Sequence, residues 1–457
     1  MSNKPRSPLG ARGRRAADAA IARLQPFGSA QSPPRAKRGD RLRRAQGRDS
    51  GPDFAAHNEQ VKQLWRDFDD GRPARVPVTF NFSHRFYLLT PWLNRKRYGF
   101  RRYFVDPAVQ WEVQLGLQRW MRECVPRDQE RGLPETWNGL TADFQNSYEA
   151  AWLGCRIEYR PREVPDTRPC LRERKGDLAR MTIPDPIRGG IQGRGLEFFQ
   201  YFEERRAREG YLGRPVAPSA FCGGGTDGPF TVACNLRGAT EMCLDLYEDP
   251  AYARELLDFV TKSIVVRVRA VGEFNQRSGK PADESETLPP VFPQAAHRPQ
   301  AAHRPQPGWG FADDSIQLLS EALYREFVLP CHRRLLAEFS QGGPNSIHLC
   351  GNVQRFLPLL QRELNIQTFD LGFPTDLGQA RRDLGPGAYL RGNLHPQILR
   401  DGPVSLIRDE TARILRSGVM EGRRYVFCEG NNVAPQTPLE HLAAAYETAK
   451  SVGVYPP

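Results

Sequence analysis

The 457-residue chain has no apolar run near the about 20 residues a membrane helix requires, so a membrane is not expected among its partners. Cys-x-x-Cys pairs are missing too. The nine cysteines (124, 155, 170, 222, 234, 243, 331, 350 and 428) are scattered and odd in number, which argues against a disulfide framework and for a reducing, cytoplasmic setting. No Gly-x-Gly-x-x-Gly follows the first expected strand, Val76 to Phe82, and no Gly-Lys-Ser/Thr closes the glycine-rich stretch Gly223 to Pro229. Neither a dinucleotide fold nor a P-loop is indicated, and no nucleotide cofactor is expected. Acidic residues are scarce only at the start: residues 1–50 hold thirteen Lys and Arg against three Asp, leaving 52 basic and 50 acidic residues in the rest. The net charge of +12 is thus a property of the first segment, and the nearly neutral remainder offers no basic groove for nucleic acid. That segment also lacks the apolar core of a secretory signal. Its Arg, Ser and Ala bias resembles an organelle transit peptide in composition, but low hydrophobicity with high charge reads first as a disordered arm over residues 1–52.

What is present is globular. Residues 53–457 read as a single domain interrupted at 282–307 by a Pro-rich insert, in which Pro293-Gln-Ala-Ala-His-Arg298 is repeated as Pro299-Gln-Ala-Ala-His-Arg304. Pro, Gln and Ala without an apolar period cannot bury a core, so the insert is expected to be a surface loop, and His297 and His303 solvated. Beyond it, short apolar runs alternate with amphipathic stretches. Ser346–Cys350, Gln367–Leu371, Ala388–Arg391 and Arg424–Cys428 read as buried strands. Leu319, Leu323, Phe327, Cys331, Leu335 and Phe339 mark one helical stripe, kinked at Pro330. Asp106-Pro107 and Asp249-Pro250 read as helix starts, as does Thr437-Pro438 with Glu440 completing a capping box. Strand and helix in succession imply a parallel sheet with right-handed crossovers, and polar residues gathered at the strand ends favour a closed (β/α)8 TIM barrel.

Side chains two apart on a strand share a face, so His348 and Cys350 can reach one metal ion as two corners of a tetrahedral zinc site, with Cys428 as a third ligand. The structural alternative is a hydrogen-bonded core histidine beside ordinary buried thiols. Asp313 and Asp314 precede a helix; one is expected to cap it, and the other to orient substrate or act as a general acid or base. Asp227 sits in the glycine-rich turn, which either presents backbone N–H groups to an anionic small-molecule substrate or is a structural turn. Asp370 and Asp376 flank one of the expected strands, and further strand ends carry Arg391, Asn393, Glu429, Asn431 and Asn432.

The segments His348-Leu-Cys350-Gly351, Arg391-Gly392-Asn393 and Gly430-Asn-Asn-Val-Ala-Pro-Gln-Thr-Pro438, with Gly228-Pro229-Phe230-Thr231 through Asp249-Pro250, resemble the uroporphyrinogen decarboxylase superfamily over about residues 70–455, insert excluded. That superfamily also contains cobamide-dependent methyltransferases. The resemblance implies the uroporphyrinogen decarboxylase type of (β/α)8 barrel. It also implies one of two activities. In the methyltransferases a His-x-Cys pair and a later Gly-Cys bind Zn²⁺; here the pair is His348 and Cys350, while Asn431 stands at the Gly-Cys position and Cys428 or Glu429 is the substitute. In the decarboxylases an Arg-Gln-Ala-Gly-Arg-Tyr segment and a Gly-His-Gly are expected; here Asn81-Phe-Ser-His84-Arg85-Phe and Asn431 replace them.

Three readings follow. The first is a zinc-dependent methyltransferase passing a methyl group from a corrinoid protein to a thiol. The second is a metal-independent decarboxylase of uroporphyrinogen or a related acid, in which Asp313 or Asp314 stabilises a protonated intermediate while Arg85 or Arg391 binds carboxylates. The third is a catalytically degenerate barrel that only binds. Across them the expected site comprises Asp313, Asp314, Glu429 and Asn431 as catalytic residues and His348, Cys350 and Cys428 at the metal. His84, Arg85, Asp227, Asp376, Arg391, Asn393 and Asn432 are expected at the substrate.

Overall fold

A computed structural model describes residues 54–222, 225–278 and 308–456. The basic arm expected at 1–52, the insert expected at 282–307, and Gly223 and Gly224 of the glycine-rich turn lie outside the described residues. Phe54–Pro457 is one compact unit.

Among the described residues, apart from a small antiparallel pair, β1 (Arg156–Glu158) with β2 (Asp166–Arg168), and isolated antiparallel bridges at Arg75–Val454 and Tyr211–Arg214, the strand pairing is parallel. Five strands, β3 (Gly310–Ala312), β4 (Asn345–Leu349), β5 (Ile366–Leu371), β6 (Tyr389–Leu394) and β7 (Tyr425–Glu429), pair in chain order. Three earlier extended segments complete the series. Val78 bridges in parallel to Phe427 of β7, Thr141 to Ala220, and Asp227 to Ala312 of β3. The first segment thus returns to the last strand, and the fold is an α/β barrel of eight extended segments. Helices such as Pro107–Cys124, Ile191–Arg208, Pro250–Arg277 and Leu439–Val452 lie between or after these segments in sequence, as parallel connection demands. Among the described residues no helix is long and apolar enough to cross a membrane.

Strand interiors read as they do because both faces are covered: all five residues of β7 are buried, so the run is continuous rather than alternating. Helix starts follow local chemistry. Asp106 accepts from the Ala108 N–H and Asp249 from the Tyr252 N–H, each just before a proline that has no N–H to satisfy. The expected start at Thr437 is shifted. Pro438 is the cap of Leu439–Val452, and the Thr437 hydroxyl donates instead to the Ala434 carbonyl. The stripe from Leu319 to Phe339 lies on one helical run, Glu321 to Phe339, with Leu319 just before its start and a π-turn inside it. Ser320 caps Glu321–Leu323, a π-turn spans Tyr324–Val328, and the α-helix resumes at Leu329–Phe339. Pro330 is the cause: it lacks an amide donor and its ring clashes with the carbonyl four residues back, so the chain widens there.

Candidate active site

At the C-terminal ends of the strands, the His348 imidazole and the Cys350 thiol meet, Nε2 to Sγ at 3.2 Å. The other ring nitrogen, Nδ1, is 2.9 Å from Asp370 Oδ2 on the neighbouring strand. Asp314 closes the group from the loop after β3. Its Oδ1 accepts from the Cys350 N–H at 2.6 Å and lies 4.0 Å from His348 Nε2. One ligand atom from each of Asp314, His348 and Cys350 lies within 4.8 Å of the others. A nitrogen, a sulfur and an oxygen so placed form a donor set that suits zinc with a fourth position open, and the carboxylate behind His348 is the usual partner of a metal-bound imidazole.

Two glycines make room. Gly351 adopts φ +86°, and a Cβ there would lie 2.0 Å from Gln317 Oε1. A Cβ on Gly372 would come within 2.8 Å of Cys350 Sγ. The sulfur is further contacted by the Asn431 amide, Nδ2 to Sγ at 3.3 Å.

Charge is concentrated around this group. Burial alone would neutralise Asp370, but Arg391 and His348 hold its carboxyl below the usual range. His348 is in turn raised well above its ordinary value, Asp370 and Cys350 outweighing desolvation. Burial pushes the Cys350 thiol up, and it raises Asp314 against the pull of His348. Asp227 is raised well above the ordinary carboxylate range by burial and by the charges of Glu149, Asp314 and Asp313. Burial pushes Glu429 up to about 8, although Arg391 and Asn81 oppose it.

The remaining expected residues fall into different places. Asp313 is fully buried away from the cluster. It accepts from the backbone N–H groups of Phe230 and Thr231 and from the Thr231 hydroxyl, and His332 Nε2 lies 2.8 Å away. It therefore holds the N-terminus of the preceding helix Pro229–Arg237, not the one that follows. Asp376 caps Leu377–Leu384 through the Gln379 N–H. Cys428 is not brought to the cluster: its Sγ lies 3.3 Å from the Arg391 guanidinium, a positive charge beside the thiol that disfavours a cation there. Arg391 also reaches Asn81, and its Nε is 4.0 Å from Asp370. Glu429 accepts from the Asn81 amide at 2.7 Å. Asn393 donates to the Gly372 and Thr375 carbonyls, and Asn432 to Asn431. His84 pairs with Asp143, and Arg85 with Gln145 and Asn146.

Asp143 and the buried pair Glu149–Arg267 went unnoticed in the sequence, and Asn81 was named only as the start of the segment that carries His84 and Arg85. Arg267 donates to Glu149 at 2.6 Å, and Glu149 accepts from the Thr226 hydroxyl and the Asp227 N–H, anchoring the loop that carries Asp227. Only the lone charge inside the apolar face of Pro250–Arg277 signalled Arg267.

The model of the uroporphyrinogen decarboxylase (URO-D) family matches residues 144–273 and 309–452. A methylated-thiol--coenzyme M methyltransferase of Methanosarcina mazei is 26% identical over 314 residues, 68% of this chain and 72% of that protein. A uroporphyrinogen decarboxylase of Syntrophotalea carbinolica is 28% identical over 222 residues, 47% of this chain and 55% of the decarboxylase. Among solved structures, a methyltransferase from Methanosarcina mazei aligns with a TM-score of 0.56 at 17% identity, covering 86% of this chain and 98% of that one, a likeness of fold.

Proposed function

The chain belongs to the uroporphyrinogen decarboxylase (URO-D) family, and from that premise we propose that it is a zinc-dependent methyltransferase, moving a methyl group from a corrinoid protein to a small thiol. The observation that carries this reading is the convergence of Asp314, His348 and Cys350 within 4.8 Å, with Asp370 behind the imidazole. Zinc, when bound, supplies a Lewis acid that lowers the pKa of a thiol.

The protein's own residues do the rest. Asp370 fixes the ring of His348, with Nδ1 as donor and Nε2 turned to the site. Arg391 keeps Asp370 ionised, so that the imidazole stays oriented. Asp314 ties the Cys350 backbone, and the Asn431 amide leans on the sulfur where the related pattern has a cysteine. Asp227, held by Glu149 through its own N–H, offers a protonated carboxyl to the polar end of the acceptor.

Metal analysis and a methyl-transfer assay with methylcobalamin test the reading. Purified protein is expected to carry one zinc, and Cys350→Ser to lose most of it together with activity. Full zinc in Cys350→Ser would overturn the assignment. The decarboxylase reading keeps the support of relatives such as the Syntrophotalea carbinolica enzyme. It is weakened because both arginines named for carboxylates are engaged, Arg391 by Asp370, Cys428 and Asn81, and Arg85 by Gln145 and Asn146. Turnover of uroporphyrinogen by metal-stripped protein would restore it.

A further inference from the structure

We propose that His84 is a catalytic base of this enzyme, taking the proton of the acceptor thiol, and that Asp143 is the residue that positions it. The identity of the acceptor rests on the function proposed above; the dyad itself rests on geometry. His84 Nδ1 lies 2.6 Å from Asp143 Oδ2. The carboxylate is pinned from other sides: the Tyr103 hydroxyl donates to Oδ2 at 2.9 Å, the Gln145 N–H to Oδ1 at 2.8 Å, and the Gln145 side-chain amide donates as well. Its backbone is clamped too, the buried Gln110 amide accepting from the Asp143 N–H and donating to the Asp143 carbonyl. Although burial opposes ionisation, the neighbouring imidazole and these donors hold Asp143 at about 2, so it stays a carboxylate and Nδ1 must be the proton donor. In the neutral ring that donates from Nδ1, Nε2 carries the lone pair. It has no hydrogen-bond partner among the described residues, and the side chain is 28% exposed.

The dyad stands on the same rim as the metal cluster. His84 follows the segment that bridges to β7, and Asp143 follows the segment that bridges at Thr141. Asn81, three residues before His84, accepts at its carbonyl from the Val433 N–H, next to the turn whose Asn431 touches Cys350. The basic atoms nearest the thiol within the cluster are already hydrogen-bonded. Both nitrogens of His348 are engaged, by Asp370 and by Cys350, and Asp314 is tied to the Cys350 N–H. In the step assigned here the S–H bond breaks, the electron pair stays on sulfur, the proton goes to Nε2 and then to water.

The test uses the full chain. His84→Gln is expected to lower kcat about 100-fold with KM within about threefold of wild type. His84→Gly should recover activity with added imidazole, which a packing role would not permit. Independently of turnover, diethyl pyrocarbonate with peptide mapping should modify His84 about tenfold faster than His57 and His441, and Asp143→Asn should slow it. A kcat within about threefold of wild type in His84→Gln, an effect on KM alone, or labelling of His84 no faster than the other two would overturn the proposal. A wild type without methyl transfer would overturn the function reading instead, and the labelling order would then decide the dyad by itself.

Discussion

The two halves of the barrel hold their backbone in different ways. From Gly310 to Glu429 five strands pair in parallel ladders, with one register shift at Asn345/Ser346 between β4 and β5, and Asp314, His348 and Asp370 emerge from strands or the loop next to them, with Cys350 one residue past β4. From Phe54 to Ser278 the parallel contacts shrink to isolated bridges at Val78, Trp137, Thr141 and Asp227. Buried side chains take over the pairing there. Gln114 accepts from the Thr141 N–H and donates to the Thr141 carbonyl, Gln110 does the same for Asp143, and Asp128 accepts from the Val78 N–H while pairing with Arg75. The difference has a physical basis: a buried peptide group must find a partner, and where no ladder supplies one an amide or carboxylate must. The side chains that stand in for the ladder in the first half, Asp143 behind His84 among them, should therefore carry stability whatever else they do, while the cluster at the strand ends of the second half should carry chemistry at little cost in stability.

The strongest way to break this comparison is Arg267→Met. Removing the guanidinium leaves Glu149 buried and uncompensated, and urea unfolding should register a loss of about 3–5 kcal/mol. A loss below about 1 kcal/mol would show that the pair is not what holds this half.

Acid unfolding sharpens the same point with a smaller effect. Asp143 lies at about 2 in the fold against an ordinary 3.8. A depressed carboxyl stabilises the fold above the ordinary value and ceases to do so as pH falls toward the folded one. Wild type should thus lose about 2 kcal/mol more than Asp143→Asn between pH 4 and pH 2. Parallel acid limbs for the two proteins would remove Asp143 from the group of stabilising contacts.

The smallest change in stability belongs to the second half. Asp314→Asn, at a side chain 39% exposed, should leave metal-free stability within about 0.5 kcal/mol of wild type while weakening zinc at least about tenfold in a competition titration. Substantial unfolding without loss of zinc would invert the comparison.

The second half was also the more legible in sequence. Strands β4 to β7 were expected within three residues of their ends, because parallel strands that are largely buried read as compact apolar runs. His348 and Cys350 were found through the two-residue alternation, a local property. Asp314 was found only as one of two adjacent acids, since nothing local tells a helix cap from a ligand. Asp313 and Asp376 carry the same side chain as Asp314 and turn out to cap helices, whereas Asp370, which orients His348, was seen only as a residue flanking its strand. In the first half Asp143, Glu149 and Arg267 left no motif. Their partners are contributed by separate segments, Arg267 lying 118 residues from Glu149.

By itself the sequence determined the alternation of strand and helix, the barrel class, and the pairing of one imidazole with one thiol, because each follows from spacing along the chain. Only the tertiary structure decided that Asp314 rather than Cys428 joins them, and that Asp143 stands behind His84. Those choices depend on which segments the barrel sets side by side, and on the Arg391 charge beside Cys428.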